Sequence, residues 1–233
     1  MPVHDQLLGS THPVLSVSLG PGESIVGAGE FAWMTDSIQM TTGPDGLSAY
    51  TAKGFAGTIA FASRLPGSIV GLDIGPDREF LVHRGGFVAG TPGIEIGTGF
   101  RYPPGDDAAL PADEFILRRI SGAGRAWIEL PGDVVRRDLA AGTSLRAHPW
   151  HIGICDASVA IQVAELSEPA ARQSGTGARL FAVLSGPGSI WLQSMPLRAR
   201  SHQTRLASEA RSVPDAEGAA GQQAALPHRR ASA

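Results

Sequence analysis

The stretch Glu23-Ser-Ile-Val-Gly-Ala-Gly-Glu-Phe31 decides the fold of this chain, because it occurs again as Glu79-Phe-Leu-Val-His-Arg-Gly-Gly-Phe87. The two copies, at 23–31 and 79–87, align without a gap. A period of this size is typical of a supersecondary unit that is used several times, since no single copy buries its apolar face alone. The sequence therefore predicts internal repeats.

Two further markers extend the repeat along the chain. Ile120-Ser-Gly-Ala-Gly124 returns as Leu184-Ser-Gly-Pro-Gly188, and Leu65-Pro-Gly-Ser-Ile-Val70 returns as Leu130-Pro-Gly-Asp-Val-Val135. We therefore predict a short N-terminal extension followed by one domain of three repeats. The extension covers residues 1–13, the domain covers 14–197, and the repeats span about 14–67, 68–132 and 133–197.

Apolar residues alternate with polar or small ones along most of the predicted domain. Leu15, Val17 and Leu19 are separated by serines, and Ile152 and Ile154 flank a glycine. This period of two is typical of half-buried strands in antiparallel sheets. Turn signals such as Gly-Pro pairs punctuate the strands, and no window of helical periodicity stands out before residue 198. The pattern predicts an all-β fold.

The charge distribution along the chain disfavours some classes of binding partner. The 233 residues carry a formal charge of −3, and residues 198–233 hold six arginines and three acidic residues, which leaves about −6 on residues 1–197. An acidic body disfavours nucleic acid and anionic membrane surfaces, so we expect such contacts only through the Arg-rich tail. That tail, residues 198–233, has few large apolar residues and is predicted to be disordered.

Cysteine content and hydropathy indicate the compartment. Cys155 is the only cysteine, so no intrachain disulfide is possible. The sequence has neither a signal-peptide pattern nor an apolar run of about 18 residues. We expect a cytoplasmic protein without a transmembrane segment.

Three histidines form the candidate metal site. His83 and His148 lie at equivalent positions of the second and third repeats, and His151 follows closely. Neutral imidazoles are common ligands of transition metals, and a carboxylate such as Glu95 or Asp156 would complete the set. Strand alternation, however, places residues 148 and 151 on opposite faces. We interpret the histidines as structural and predict no catalytic residue, no metal and no cofactor.

Other conspicuous side chains are also interpreted as structural. Glu129 alternates with apolar residues and is predicted to lie on a solvent face. Trp127 and Trp191 recur in the same register and are predicted to fill equivalent pockets. Cys155 lies in an alternating strand segment, where a buried and inert thiol is the usual state.

Six short motifs, taken in their order and spacing, carry a family resemblance. They are Pro21-Gly-Glu-Ser24, Arg84-Gly-Gly-Phe87, Pro92-Gly-Ile-Glu-Ile96, Ser121-Gly-Ala-Gly124, Leu130-Pro-Gly132 and Ser185-Gly-Pro-Gly-Ser-Ile-Trp-Leu-Gln-Ser194. Together they resemble the AIM family, named for altered inheritance of mitochondria, which has many bacterial members of unknown function. The resemblance implies a pseudo-threefold body of the double-stranded β-helix or β-prism type. It also implies a fold grouped with the tryptophan RNA-binding attenuation protein, assembly into small rings, and no established catalytic residues.

Two classes of function follow as expectations. The first is a non-enzymatic binding or scaffold protein, acting as a homo-oligomer and contacting an unidentified protein partner through strand edges and turn loops. The second is a cupin-like metal or small-molecule-binding enzyme that uses the histidine cluster His83, His148 and His151.

Overall fold

The all-β prediction is confirmed. The structure, a computed structural model, describes residues 4–28, 31–43, 46–102, 115–165 and 180–196. These residues form nineteen β-strands and one turn of 3-10 helix at Pro149–His151. Every strand pairing among them is antiparallel.

The strands are numbered in chain order. The first ten are β1 (His4–Leu8), β2 (Val14–Leu19), β3 (Ser24–Gly27), β4 (Trp33–Met34), β5 (Ile38–Thr42), β6 (Ser48–Ala52), β7 (Gly57–Ala62), β8 (Gly67–Ile74), β9 (Phe80–His83) and β10 (Phe87–Gly90). The others are β11 (Ile94–Tyr102), β12 (Phe115–Gly122), β13 (Gly124–Pro131), β14 (Val134–Leu139), β15 (Ser144–Ala147), β16 (Ile152–Asp156), β17 (Ala160–Glu165), β18 (Leu180–Ser185) and β19 (Gly188–Gln193).

Local sequence explains these elements. In β2, Leu15, Val17 and Leu19 are buried while the intervening serines are not, as a period of two requires. The strand ends at the turn Gly20-Pro-Gly-Glu23, in which the Glu23 N–H donates to the Gly20 carbonyl. Gly22 has a φ of +82°, a conformation that favours glycine, so the turn type follows from the sequence.

Four open sheets result. Their strand orders are β1-β2-β7-β4, β5-β6-β3-β10-β13-β8, β11-β12-β9-β16-β19-β14 and β15-β18-β17. Adding six to each strand number of the first six-stranded sheet gives the order of the second. The chain therefore builds the same sheet twice. None of the four sheets closes on itself among the described residues.

One hydrogen-bond pattern occurs three times. Thr35, Thr91 and Asp156 each accept, through the side chain, a backbone N–H from the neighbouring strand. The donors are Thr58, Arg125 and Ser189, at 3.0, 3.1 and 2.6 Å. The carbonyl of each acceptor residue also receives the N–H of the residue three positions later, Ile38, Ile94 or Val159.

Three apolar clusters fill the interior of the described part of the chain. Trp127 packs in the first with Leu15 and Val17 of β2. Trp191 packs in the second with Leu72 of β8 and meets Phe80 edge to face, with ring centroids 6.0 Å apart. In the third, Trp150 stacks on Phe115. The only helix that the structure describes is the three-residue turn, which is far too short to cross a membrane.

The N-terminal extension contains a strand that the sequence pattern did not predict. β1 pairs antiparallel with β2 over its whole length, from His4 opposite Ser18 to Leu8 opposite Val14. The predicted disordered tail, residues 198–233, lies outside the described residues.

Candidate functional site: two tryptophan grooves

Two grooves lie where turns from neighbouring strands meet. The first groove, of about 630 Å³, is lined by the β2–β3, β10–β11 and β12–β13 turns. The second groove, of about 520 Å³, is lined by the β8–β9 and β16–β17 turns, by Ser189 and Trp191 of β19, and by Arg136 of β14. Adding six to the strand numbers of the β2–β3 and β10–β11 turns gives the two turns of the second groove, so the two grooves occupy corresponding places in the fold.

In the first groove, an arginine and a carboxylate hold a buried tryptophan. The guanidinium carbon of Arg125 lies 5.9 Å from the centre of the Trp127 ring, within cation–π range. The Trp127 indole N–H donates to the Asp5 carboxylate at 3.0 Å. Arg125 donates to Asp73 at 2.8 Å and has its Nε 3.6 Å from an Asp5 oxygen. Asp5 of β1 therefore connects the N-terminal strand to this site.

In the second groove, the tryptophan lines the surface directly. Arg136 lies over Trp191, with its guanidinium carbon 5.1 Å from the ring centre. Arg136 also donates to Asp138 at 3.2 Å through Nε and to the Ser189 hydroxyl at 3.1 Å. Asp156 accepts the Ser189 N–H from the other side. No described strand lies where β1 lies in the first groove.

The two arginines come from different positions. Arg125 stands two residues before Trp127 on the same strand, opposite Asp73 of β8. Arg136 stands on the neighbouring strand, directly opposite Trp191. The residue opposite Trp127 is Gly71, and a Cβ there would lie 2.7 Å from an Arg125 nitrogen. Gly71 of β8 thus leaves room for the Arg125 side chain of β13.

In the second groove, hydrogen bonds fix the position of the charged side chains. The Ser189 hydroxyl donates to Asp138 at 2.6 Å and lowers the pKa of that carboxyl, and Arg136 lowers it further. Charge-assisted hydrogen bonds of this kind orient polar groups around a ligand.

His83 stands at the end of β9. Its Nδ1 accepts the Gly85 N–H at 3.3 Å, and its carbonyl accepts the Gly86 N–H. Burial, followed by the positive charges of Arg84 and Arg64, lowers the pKa of His83 to about 4. The imidazole is therefore neutral at neutral pH and belongs to a structural turn.

His148 and His151 lie closer together than the sequence predicted. Their rings are 5.7 Å apart, because residues 149–151 form a 3-10 turn and the strand alternation assumed for them does not apply. The Nδ1 of His151 is 2.7 Å from the Gln193 carbonyl. His148 follows β15 as His83 ends β9, so the two occupy matching turns. No group of three or more potential metal-ligating side chains was found among the described residues.

Glu129 is a correction to the sequence prediction, since it is buried with 2% exposure. Its carboxylate accepts the backbone N–H groups of Arg64 and Leu65 at 2.6 and 2.9 Å, and the Arg64 side chain at 2.9 Å. Arg64 also donates to the Gly85 carbonyl in the turn that follows His83. The alternation pattern predicted the wrong environment for Glu129 because the end of β13 contacts the turn at Arg64 and Leu65, where solvent was expected.

Two other predictions about buried side chains are confirmed. Trp127 and Trp191 both lie in apolar clusters. Cys155 is buried in β16, and burial, with a smaller contribution from Asp156, raises the pKa of its thiol to about 12. Such a thiol is a poor nucleophile because the thiolate is the reactive form.

Similarity to known proteins agrees with this architecture. The sequence matches the family described as Mitochondrial biogenesis AIM24 over residues 6–195. The chain belongs to the AIM24 family. Seven chains of solved structures match the fold, among them the crystal structure of a Streptococcus pyogenes protein with a TM-score of 0.68. That protein is 16% identical, over 90% of this chain and 99% of its own, so the likeness concerns the fold alone. No curated protein matches the chain.

Family membership, predicted from six motifs, is therefore confirmed, while the groove residues were missed. Asp5 lies in a segment without alternation, and Arg136 does not recur at the repeat spacing. The recurring tryptophans were the one signal in the sequence that pointed to both grooves.

Proposed function

We propose that this AIM24-family chain is a non-enzymatic binding or scaffold protein that acts as a homo-oligomer. It recognises polypeptides through exposed strand edges and turn loops, by adding strands to its sheets. One observation carries the proposal. All the large apolar side chains that are exposed on described strands lie on strands at the edge of a sheet, namely Leu7, Leu8, Trp33, Met40 and Val135.

Such edges are unusual in a protein that works alone. A free edge presents unpaired N–H and C=O groups, and proteins commonly protect it with charged side chains, proline or a covering segment. On β14, Val135 is 44% exposed beside Arg136 and Arg137. An apolar side chain on such an edge favours association with a further strand.

The proposal includes a rigid frame of three repeats, over about residues 14–67, 68–132 and 133–197, with pseudo-threefold symmetry of the β-prism or double-stranded β-helix type. Two facts support it: the strand order that recurs after six strands, and the hydrogen bonds of Thr35, Thr91 and Asp156. In this frame β4 corresponds to β10 and β16. A cytoplasmic location, which the single buried cysteine favours, completes the proposal.

Native mass spectrometry and light scattering of the full-length chain at tens of micromolar test the oligomer. We expect a discrete oligomer, which Val135→Lys dissociates by replacing the exposed apolar side chain of the β14 edge with a charge. Phe55→Lys is the matched control, because Phe55 is 78% exposed but lies in the turn between β6 and β7. We expect it to leave the assembly unchanged.

Three outcomes contradict the proposal. A monomer at these concentrations excludes the oligomer. Dissociation by Phe55→Lys alone removes the strand edge from the interface. Metal retained at one ion per chain in the same sample supports the cupin-like alternative, and His83, His148 and His151 are then the first residues to substitute.

A further inference from the structure

β2 and β8 are corresponding strands whose outer edges differ. Both precede a Gly-Pro turn, at Gly20 and Gly75, and each pairs on its inner side with a corresponding strand, β7 or β13. On its outer side β2 is covered by β1. In the part of the chain that the structure describes, β8 pairs with β13 only and ends its sheet.

β1 is attached by a single acidic side chain in addition to its backbone pairing. Asp5 lies opposite Val17 of β2 and accepts the indole N–H of Trp127. It also lies within 3.6 Å of Arg125. The other four β1 side chains are exposed. The side-chain hydrogen bond and ion pair described for this strand are therefore those of one carboxylate, which meets an indole donor and a guanidinium.

A tryptophan and an arginine of the same kind lie beside β8. Trp191 shares an apolar cluster with Leu72 and Ile74 of β8, as Trp127 shares one with Val17 and Leu19 of β2. Arg136 lies over Trp191 as Arg125 lies over Trp127. Trp191 lines the second groove, whereas Asp5 lines the first groove in front of Trp127. No described residue accepts a hydrogen bond from the Trp191 indole.

We propose that the outer edge of β8 binds an extended, antiparallel peptide segment of a partner protein. An Asp or Glu of that segment, placed opposite Leu72, accepts the Trp191 indole N–H and pairs with Arg136. Leu72 is the position because it corresponds to Val17 in the same register that makes Gly75 correspond to Gly20. The inference rests on the proposed strand-edge function and specifies the chemistry of its ligand.

β14 provides an internal comparison. It also ends a sheet. In the proposed threefold frame a strand beside β14 would face β7, and the β7 residue at the position of Trp127 and Trp191 is Ala60. Ala60 pairs with Trp33 of β4 as Trp127 pairs with Ala89 of β10. The β14 edge therefore lacks the indole donor and is not expected to select an acidic residue.

Binding of labelled synthetic peptides to the full-length chain, followed by fluorescence anisotropy, tests the inference. The probe is the octapeptide with the sequence of residues 2–9, Pro-Val-His-Asp-Gln-Leu-Leu-Gly, since its His4–Leu8 part already pairs with a corresponding edge. We expect the version with Asn in place of Asp to bind about tenfold or more weakly, because a charged acceptor is lost. We expect Trp191→Phe and Arg136→Gln each to remove this preference, and Trp127→Phe to leave it.

The outcomes separate this inference from the proposed function. If the Asn peptide binds as tightly as the Asp peptide, while N-methylation of alternate peptide amides abolishes binding, strand-edge recognition holds and the acidic anchor is overturned. If Trp127→Phe and not Trp191→Phe changes binding, the probe exchanges with β1 and the β8 site is overturned. If Trp191→Phe dissociates the oligomer, a second copy of the chain occupies the edge and a separate partner is excluded. If no peptide binds, the inference fails, whatever the oligomer test shows.

Discussion

β13 and β19 occupy the same place in two copies of one sheet, yet they are stabilised by different partners. Trp127 of β13 is fully buried and bonded to Asp5, whereas Trp191 of β19 is 9% exposed and lines a groove. At the other end, Glu129 of β13 is matched by Gln193 of β19. The two copies of the sheet therefore keep each side chain at the same position, but the residues that contact it differ between the copies.

The arginines show what is preserved. A guanidinium lies over the indole in both copies, although it comes from Arg125 on the same strand in one and from Arg136 on the neighbouring strand in the other. Two positions in a ladder serve the same purpose because side chains on one face of paired strands reach the same space. A repeat search at fixed spacing cannot find such an exchange.

The largest loss of stability is expected when the tryptophans are truncated. Trp127→Ala should lower the free energy of unfolding by about 3–5 kcal/mol, since it leaves a fully buried cavity. Trp191→Ala should cost at least about 1 kcal/mol less, because solvent enters from the groove. Urea unfolding with linear extrapolation measures both values. Equal costs would mean that the difference in burial does not affect stability.

The next largest loss of stability is expected at the ends of β13 and β19, where Glu129 corresponds to Gln193. Glu129→Ala should cost about 3 kcal/mol, because two partly buried N–H groups and the Arg64 side chain lose their acceptor. Gln193→Ala should cost only about 1 kcal/mol, because its side chain donates one described bond, to the Trp150 carbonyl at 3.1 Å. The same urea series, with Arg64→Ala as the half-exposed control, tests this order. A larger loss at Gln193 would reverse the comparison.

Among the three pairs, the histidine turns give the smallest maximum effect. The pKa of His83 is about 4 in the fold and near 6.5 in an unfolded chain, so between these values the unfolded state binds more protons. Stability should therefore fall by about 2 kcal/mol as the pH drops from 7 to 4, a value reduced for residual solvent contact. His83→Gln should remove this slope and His148→Gln, in the matching turn, should retain it. Urea unfolding at several pH values measures the slopes, and an unchanged slope in His83→Gln would assign it to other groups.

The sequence predicted the β-strands better than it predicted the residues that each strand contacts. Alternation at Leu15, Val17 and Leu19 predicted a strand and its buried face, because period two is a local property of the chain. The same rule failed at Glu129, whose carboxylate meets the distant turn at Arg64 and Leu65. It also failed at His148 and His151, where Pro149 begins a 3-10 turn.

The sequence by itself determined the all-β class, the family and the recurring tryptophans, because each depends on spacing along one chain. Only the tertiary structure decided that β1 covers β2, that Asp5 reaches Trp127 from the far N-terminal strand, and that the edge of β8 ends its sheet in the described part of the chain. Sheet order and edge exposure arise from pairing between distant strands. The side chains that complete a groove are therefore set by packing, which a local pattern does not encode.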